Sequence, residues 1–210
     1  MKQQLSRKAI KLAVLCILAV LMNILLSIFI MNFLRFPLFL DTVFTAAIAF
    51  AFGLIPGIFV AVFSLLISCI YYMGINFFVI CSIAEVLLIC ALKPPAPDIP
   101  DFAPKEKIIA SYTVVAAKLM ILYIICAIAI SVLGGLINLL PQIAYGTHTD
   151  YFGVDDLFKL GLITNNLPTL AVNILSRIPI NIVDRFIVIF GGYLISRALV
   201  KITPTTHSAA

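Results

Sequence analysis

Between residues 42 and 84 the chain reads TVFTAAIAFAFGLIPGIFVAVFSLLISCIYYMGINFFVICSIA, and no charged side chain interrupts it. A membrane-spanning helix needs about 20 apolar residues, so this stretch is too long for one span and predicts two or more. Gly-Leu-Ile-Pro-Gly at residues 53–57 marks a tight turn that divides it. A second uncharged run covers residues 12–34. These two runs predict an all-α, multi-spanning membrane protein.

The overall composition supports the same class of protein. Hydrophobic residues make up 63% of the chain and charged residues only 11%, whereas an average soluble domain carries about 25% charged residues. The net charge of +5 comes from basic residues that flank apolar segments, where they set the orientation in the membrane, and we expect no nucleic-acid partner. The five cysteines have no metal-site spacing. We expect neither a metal nor a cofactor.

Six transmembrane helices fit the apolar pattern best. The last of them is longer than one span requires and contains Pro179, so it is expected to consist of a short helix before the proline and a spanning helix after it. The predicted spans cover residues 10–34, 36–53, 57–72, 76–92, 108–133 and 168–200.

The whole chain, residues 1–210, is predicted to form a single integral membrane domain. Prolines at the start of residues 93–107 predict a linker without helix there, a polar outer loop is expected at 138–167, and a disordered tail at 202–210. Six spans put both termini and the linker on one side. The lysine and arginine residues assigned to that side outnumber those in the opposite loops, Arg35 and Lys159, by nine to two, which predicts that it is the cytoplasm. The nine are Lys2, Arg7, Lys8, Lys11, Lys93, Lys105, Lys107, Arg197 and Lys201.

The last span holds the densest set of polar residues. On a continuous helix Asn173, Arg177, Asn181 and Arg185 recur every four residues and share one face, and Asp184 joins its edge. Ionisable groups cost roughly 3 kcal/mol or more at mid-membrane, so a chain that keeps them there uses them. They either line a polar cavity or neutralise one another to hold helices together.

Glu85 poses the same choice in the middle of the fourth span. A cation from the last span would keep its carboxylate ionised, and Arg185 is the expected partner if the pair is structural. In the other interpretation Glu85 contacts a substrate or carries a proton. Tyr72 and Asn76 border the outer loop between the third and fourth spans. They fit an aromatic belt at the membrane interface with a turn, and they could also cover a cavity.

Ala9 and Ala13 form an Ala-x-x-x-Ala spacing at the start of the first span. This spacing places two methyl groups on one helix face and lets another helix approach closely. The chain has no Walker A pattern, no His-Glu-x-x-His and no Gly-x-Ser-x-Gly. We therefore expect no catalytic residues and no enzymatic activity.

Taken together, these segments resemble the S component of energy-coupling-factor (ECF) transporters, the substrate-capturing membrane subunit of bacterial vitamin importers. The resemblance is carried by the basic N-terminus with Ala9 and Ala13, the turn at residues 51–57 and the charged linker after the fourth span. The fourth feature is Arg-Ile-Pro-Ile-Asn-Ile-Val-Asp-Arg at residues 177–185, followed by Phe-Gly-Gly-Tyr at 190–193. The N-terminal histidine of the nickel and cobalt members is missing, which disfavours a metal substrate.

The resemblance implies a multi-pass protein of the bacterial cytoplasmic membrane that binds a small water-soluble vitamin or related metabolite near the outer face. It implies that Ala9 and Ala13 dock on a transmembrane coupling subunit, which two ATPase subunits drive. The substrate-binding residues it implies are Glu85, Arg177, Asn181, Asp184 and Arg185, and Tyr72 and Asn76 join them as candidates from the outer loop.

Two other classes of protein compete with this interpretation. A structural membrane protein of the MreD cell-shape type has a similar size and span number, and it would use the buried polar groups as a scaffold. An intramembrane enzyme would have to combine Glu85 with His148, which are expected at different depths in the membrane. Ligand retention separates the importer from the scaffold, because a scaffold retains no solute.

Overall fold

The computed structural model describes residues 2–34, 38, 40–72, 77–95, 104–145, 162 and 167–202. In these ranges the chain forms helices and no strand, which confirms the predicted all-α class. The helices are α1 (Lys2–Phe29, continued by a π-helical turn at Ile30–Leu34), a 3₁₀ turn (Leu40–Thr42) that leads directly into α2 (Val43–Phe52), α3 (Leu54–Tyr72), α4 (Val79–Leu92), α5 (Lys105–Tyr145), α6 (Thr169–Leu175) and α7 (Ile178–Ile202).

Three of the described segments are long and apolar enough to cross a membrane: Ala9–Phe29, Lys105–Leu139 and Thr169–Lys201. Three further apolar segments are shorter, at Leu40–Phe52, Leu54–Ile70 and Val79–Leu92. The predicted six spans thus correspond to six apolar helical segments, of which three have the length of a full crossing. The six-span topology with cytoplasmic termini stays a prediction.

Helix α5 differs from the prediction at both ends. It begins at Lys105, inside the linker predicted for residues 93–107, and ends at Tyr145, inside the outer loop predicted to start at 138. The apolar run continues through Leu136 and Leu140, and the helix passes Pro141 before it ends, although a proline inside a helix removes one backbone hydrogen bond. At 1.5 Å per residue, 41 residues span roughly 60 Å, about twice the apolar thickness of a bilayer. The rest of the linker (96–103), most of the loop (146–161 and 163–166) and the tail beyond 202 lie outside the described residues.

Helix α2 forms the centre of the bundle. Seven of its residues are buried, and it packs against α1, α3, α4 and α7. Small side chains allow α2 and α7 to pack closely: a Cβ added at Gly192 of α7 would lie 2.8 Å from the Cβ of Ala46 and 3.2 Å from the backbone N of Ala47. A larger residue at position 192 would therefore push α7 away from α2.

The turn between α2 and α3 is shorter than the sequence suggests. Gly53 alone breaks the helix, with a φ of 87° that favours glycine, and Pro56 lies within the first turn of α3, where proline is tolerated. Gly57 is helical and has a packing role, since a Cβ there would lie 2.8 Å from Val86 Cγ1 and 3.0 Å from Ala49 Cβ. The predicted turn is confirmed at Gly53, while Gly57 brings α3 close to α2 and α4.

A buried amide fixes α1 to its neighbours. Asn23 is 1% exposed, and its Nδ2 donates hydrogen bonds to Thr45 Oγ1 at 2.9 Å and to Ser64 Oγ at 3.2 Å. Its Oδ1 accepts a hydrogen bond from the backbone N–H of Phe44 at 3.0 Å. That N–H belongs to the first turn of α2, where the helix itself supplies no acceptor. Asn23 therefore caps α2 from another helix, a role that the sequence analysis missed.

Candidate functional site

The break between α6 and α7 brings the polar residues of the last predicted span together. The helical ladder is interrupted at Ser176 and Arg177, two residues before Pro179, so the expected division into a short and a long helix is confirmed. Pro179 falls in the first turn of α7, where its missing N–H leaves no bond unmade. The four-residue spacing holds on a continuous helix, and the break separates Asn173 on α6 from the residues that follow it. Arg177, Asn181 and Arg185 nevertheless line one cavity.

Arg185 is the centre of a buried ion cluster. Its guanidinium forms ion pairs with Glu85 of α4 and with the neighbouring Asp184, and its Nη1 also donates to Thr42 Oγ1 at 3.1 Å. The exposed fractions are 4% for Arg185, 1% for Glu85 and 0% for Asp184. Arg185 therefore pairs with both Glu85 and Asp184, which is the structural alternative that the sequence left open for these charges. It ties α7 to α4 and to the turn before α2.

The cluster holds more acceptors than its guanidinium satisfies. Glu85 Oε1 and Asp184 Oδ1 are buried and have no hydrogen-bond partner among the described groups. A buried carboxylate oxygen without a partner is costly, roughly 1–3 kcal/mol or more. One guanidinium shared by two carboxylates also leaves a formal charge of minus one. The cluster joins the helices and carries unsatisfied acceptor capacity.

A cavity of about 180 Å³ adjoins this cluster. Thr42 immediately precedes α2, Phe78 immediately precedes α4, and Arg177 immediately precedes α7, so the cavity lies at the end of the bundle where these three helices begin. Several water molecules or a small solute fill such a volume, since one water needs about 10–15 Å³ of it. The lining residues are Asp41, Thr42, Leu65, Phe78, Cys81, Ser82, Ile130, Arg177, Asn181 and Arg185.

Arg177 and Asn181 are held in the cavity wall by specific neighbours. The Arg177 guanidinium carbon lies 4.6 Å from the centroid of the Phe78 ring, within the range of a cation–π interaction. Asn181 Nδ2 donates a hydrogen bond of 2.9 Å to Ser131 Oγ on α5. A Cβ at Gly134 would lie only 2.8 Å from Arg177 Nη1, so glycine at this position makes room for the guanidinium.

Gly134, Gly135 and Asp41 were missed as contributors to the site. At Gly135 a Cβ would lie 2.6 Å from Ile174 Cγ1 and 3.0 Å from its backbone, so this glycine lets α5 and α6 touch. The adjacent glycine pair inside an apolar helix was the available sequence signal for both glycines. Asp41 was not among the predicted site residues, and it lines the cavity.

The remaining predicted site residues are not brought to the cavity by what the structure describes. Tyr72 ends α3, with a side chain outside the described part, and Asn76 lies outside the described residues altogether. Their roles stay predictions. Ala9 and Ala13 are exposed on α1, and α1 packs on α2 and α3 through other residues such as Cys16, Ala19 and Val20.

Comparisons with protein-family models, with curated proteins and with solved structures gave no match.

Proposed function

We propose that the protein is the substrate-capturing membrane subunit of an ECF-type importer, which binds a small polar solute in the cavity between α2, α4 and α7. The observation that carries the proposal is that cavity. Two guanidinium groups, one carboxylate, an amide and two hydroxyl groups converge on it in an otherwise apolar bundle. A few polar groups in an apolar enclosure are typical of small-molecule sites.

The arrangement of the helices supports solute binding in this cavity. Thr42, Phe78 and Arg177 stand at the starts of three helices, and non-helical backbone at membrane depth is tolerated where it lines a cavity or is covered by protein. Broken helices that end beside a binding site are a common device of membrane transporters. The short α2 and the break before α7 have this form. The bias of basic residues assigns the same end of the bundle to the outside of the cell.

The exposed face of α1 supports the proposed docking on a coupling subunit. Ala9 and Ala13 expose their small side chains on α1, and the apolar Ile10, Val14 and Ile17 nearby are more than half exposed. A helix face of this composition accepts a second helix at short distance. In the proposal this face meets the transmembrane coupling subunit, and two ATPase subunits supply the energy.

A structural role of the MreD type is the second candidate, because a specific observation favours it. Arg185 forms ion pairs with both Glu85 and Asp184, so the three charged groups of the cluster already have partners inside the protein. In this alternative the cluster only joins helices, and the adjoining cavity holds water.

Mass spectrometry of small molecules released from the detergent-purified protein tests the proposal. The importer subunit releases one polar solute in near-stoichiometric amount, and Arg177→Ala lowers this amount while the variant elutes as a folded protein. Arg197→Ala, on the same helix but outside the cavity, is the matched control and keeps the solute. A wild-type protein that binds no solute, even from concentrated cell extract, would favour the structural role. Unchanged retention by the Arg177 variant would remove that residue from the site.

A further inference from the structure

We infer that the solute taken by the cavity carries a cationic group, which lies beside Asp41. This inference rests on the proposed function and adds the charge class of the substrate. It depends on how the ionisable side chains are distributed around the cavity.

Within the described residues, five ionisable side chains other than thiols belong to the cavity and its adjoining cluster. Three are carboxylates, from Asp41, Glu85 and Asp184, and two are guanidinium groups, from Arg177 and Arg185. The formal sum is minus one. Net charge is expensive in a buried site unless a counter-charge enters with it, and a cationic solute provides that counter-charge.

The negative charge is concentrated at one end of the cavity. Glu85 and Asp184 pair with the Arg185 guanidinium, and Asp41 lies in electrostatic range of all three groups. Arg177 is two helical turns away along α7, where eight residues correspond to roughly 12 Å, and it contacts the Phe78 ring and Gly134. Of the three carboxylates only Asp41 lines the cavity and can touch an occupant.

The polarity of the walls agrees with this placement. The cavity lining also includes the hydroxyl groups of Thr42, which follows Asp41 in the chain, and of Ser82 as further acceptors. An ammonium or amidinium group is a donor without acceptor capacity, so it matches a surface of carboxylate and hydroxyl oxygens. The apolar walls, Leu65 and Ile130, enclose the remainder of a small solute.

Cys81 is a built-in probe of this charge, because its side chain lines the same cavity. Its rate of modification is measured with two thiol reagents of similar size, the cationic trimethylammonioethyl and the anionic sulfonatoethyl methanethiosulfonate. Each rate is divided by the rate with a simple thiol in the same mildly alkaline buffer. The Cys81→Ala variant gives the background from the other cysteines.

Because Arg177 and Arg185 act on Cys81 together with Glu85 and Asp41, the quantity that reports Asp41 is the change in the cation-to-anion rate ratio when its charge is removed. Asp41→Asn lowers the cation-to-anion ratio several-fold. Glu106→Gln, which removes an exposed negative charge in the first turn of α5, leaves it unchanged.

The outcomes separate the two proposals. A cation-to-anion ratio that Asp41→Asn leaves unchanged or raises overturns the cationic assignment beside Asp41 and leaves the cavity as a solute site of another charge class. If neither reagent reaches Cys81, the cavity is closed to solutes, and the proposed function fails together with this inference.

Discussion

Replacing Arg185 by methionine is the most demanding test of the buried cluster. The substitution keeps much of the apolar stem and removes the guanidinium that pairs with Glu85 and Asp184. Removing one partner of a buried ion pair costs about 3–5 kcal/mol, because it leaves an uncompensated charge. The lost hydrogen bond to Thr42 adds about 1 kcal/mol. At roughly 2–4 °C per kcal/mol for a chain of this size, the unfolding temperature falls by about 10 °C or more.

The cysteines of the protein provide the assay. Cys16 and Cys126 are buried in the folded state and lie outside the cavity. In a Cys81→Ala background, a dye that fluoresces on reaction with thiols therefore reports unfolding during a temperature ramp in detergent. Arg197→Met is the matched control, because it makes the same substitution on the same helix outside the cluster. We expect this control to unfold within a few degrees of the wild type, since a surface substitution changes stability by about 0.5 kcal/mol or less.

A triple variant distinguishes the loss of charge balance from the loss of packing. Glu85→Gln, Asp184→Asn and Arg185→Met together remove all three charges, and a fully neutralised buried cluster is often no less stable than the original. The triple variant should therefore unfold well above the single Arg185→Met variant. If Arg185→Met unfolds with the wild type, or if the triple variant is the least stable of all, the charge-balance reasoning is refuted.

Four further predictions follow from the same contacts. Gly134→Ala places a methyl carbon 2.8 Å from Arg177 Nη1, so the guanidinium at the flexible end of that side chain has to shift. Solute retention should fall, and in an Arg177→Ala background the substitution should have no further effect on retention. Asn23→Leu removes three hydrogen bonds between helices and should destabilise the protein by roughly 2–3 kcal/mol in the thiol-dye assay, whereas Met22→Leu on the exposed side should not. Gly192→Leu should yield little folded protein on size-exclusion chromatography, because α7 can no longer reach Ala46. Ala9→Trp and Ala13→Trp should abolish uptake by cells while solute retention by the purified protein persists; normal uptake by both variants would remove the docking assignment.

The sequence predicted the class of fold because the signal is dominated by apolar runs. Uncharged stretches at residues 12–34 and 42–84 leave a helical membrane protein as the one economical interpretation. It also selected Glu85, Arg177, Asn181, Asp184 and Arg185, since charged and amide groups are conspicuous in such a composition. The structure brings all five to one cluster with its adjoining cavity.

Other features depend on contacts between helices and have no local signal. The role of Gly134 follows from the approach of Arg177 across the α5–α7 contact, and the role of Gly192 from the approach of Ala46. Asn23 is one amide in an apolar helix, and only the fold shows that it receives the Phe44 N–H at the start of α2. Helix ends were also imprecise, because the apolar run of α5 continues beyond the length that a bilayer requires.

Modification of Cys81 from one side of the membrane tests whether the cavity opens to the outside and holds a solute. Intact cells and inverted vesicles are treated with a membrane-impermeant thiol reagent, with Cys81→Ala as the background control. We expect Cys81 to react in intact cells and to react far more slowly in inverted vesicles. Adding back the solute released from the purified protein should protect Cys81 from the reagent. Reaction from the cytoplasmic side alone, or no reaction from either side, would contradict a cavity that opens outward and holds a solute.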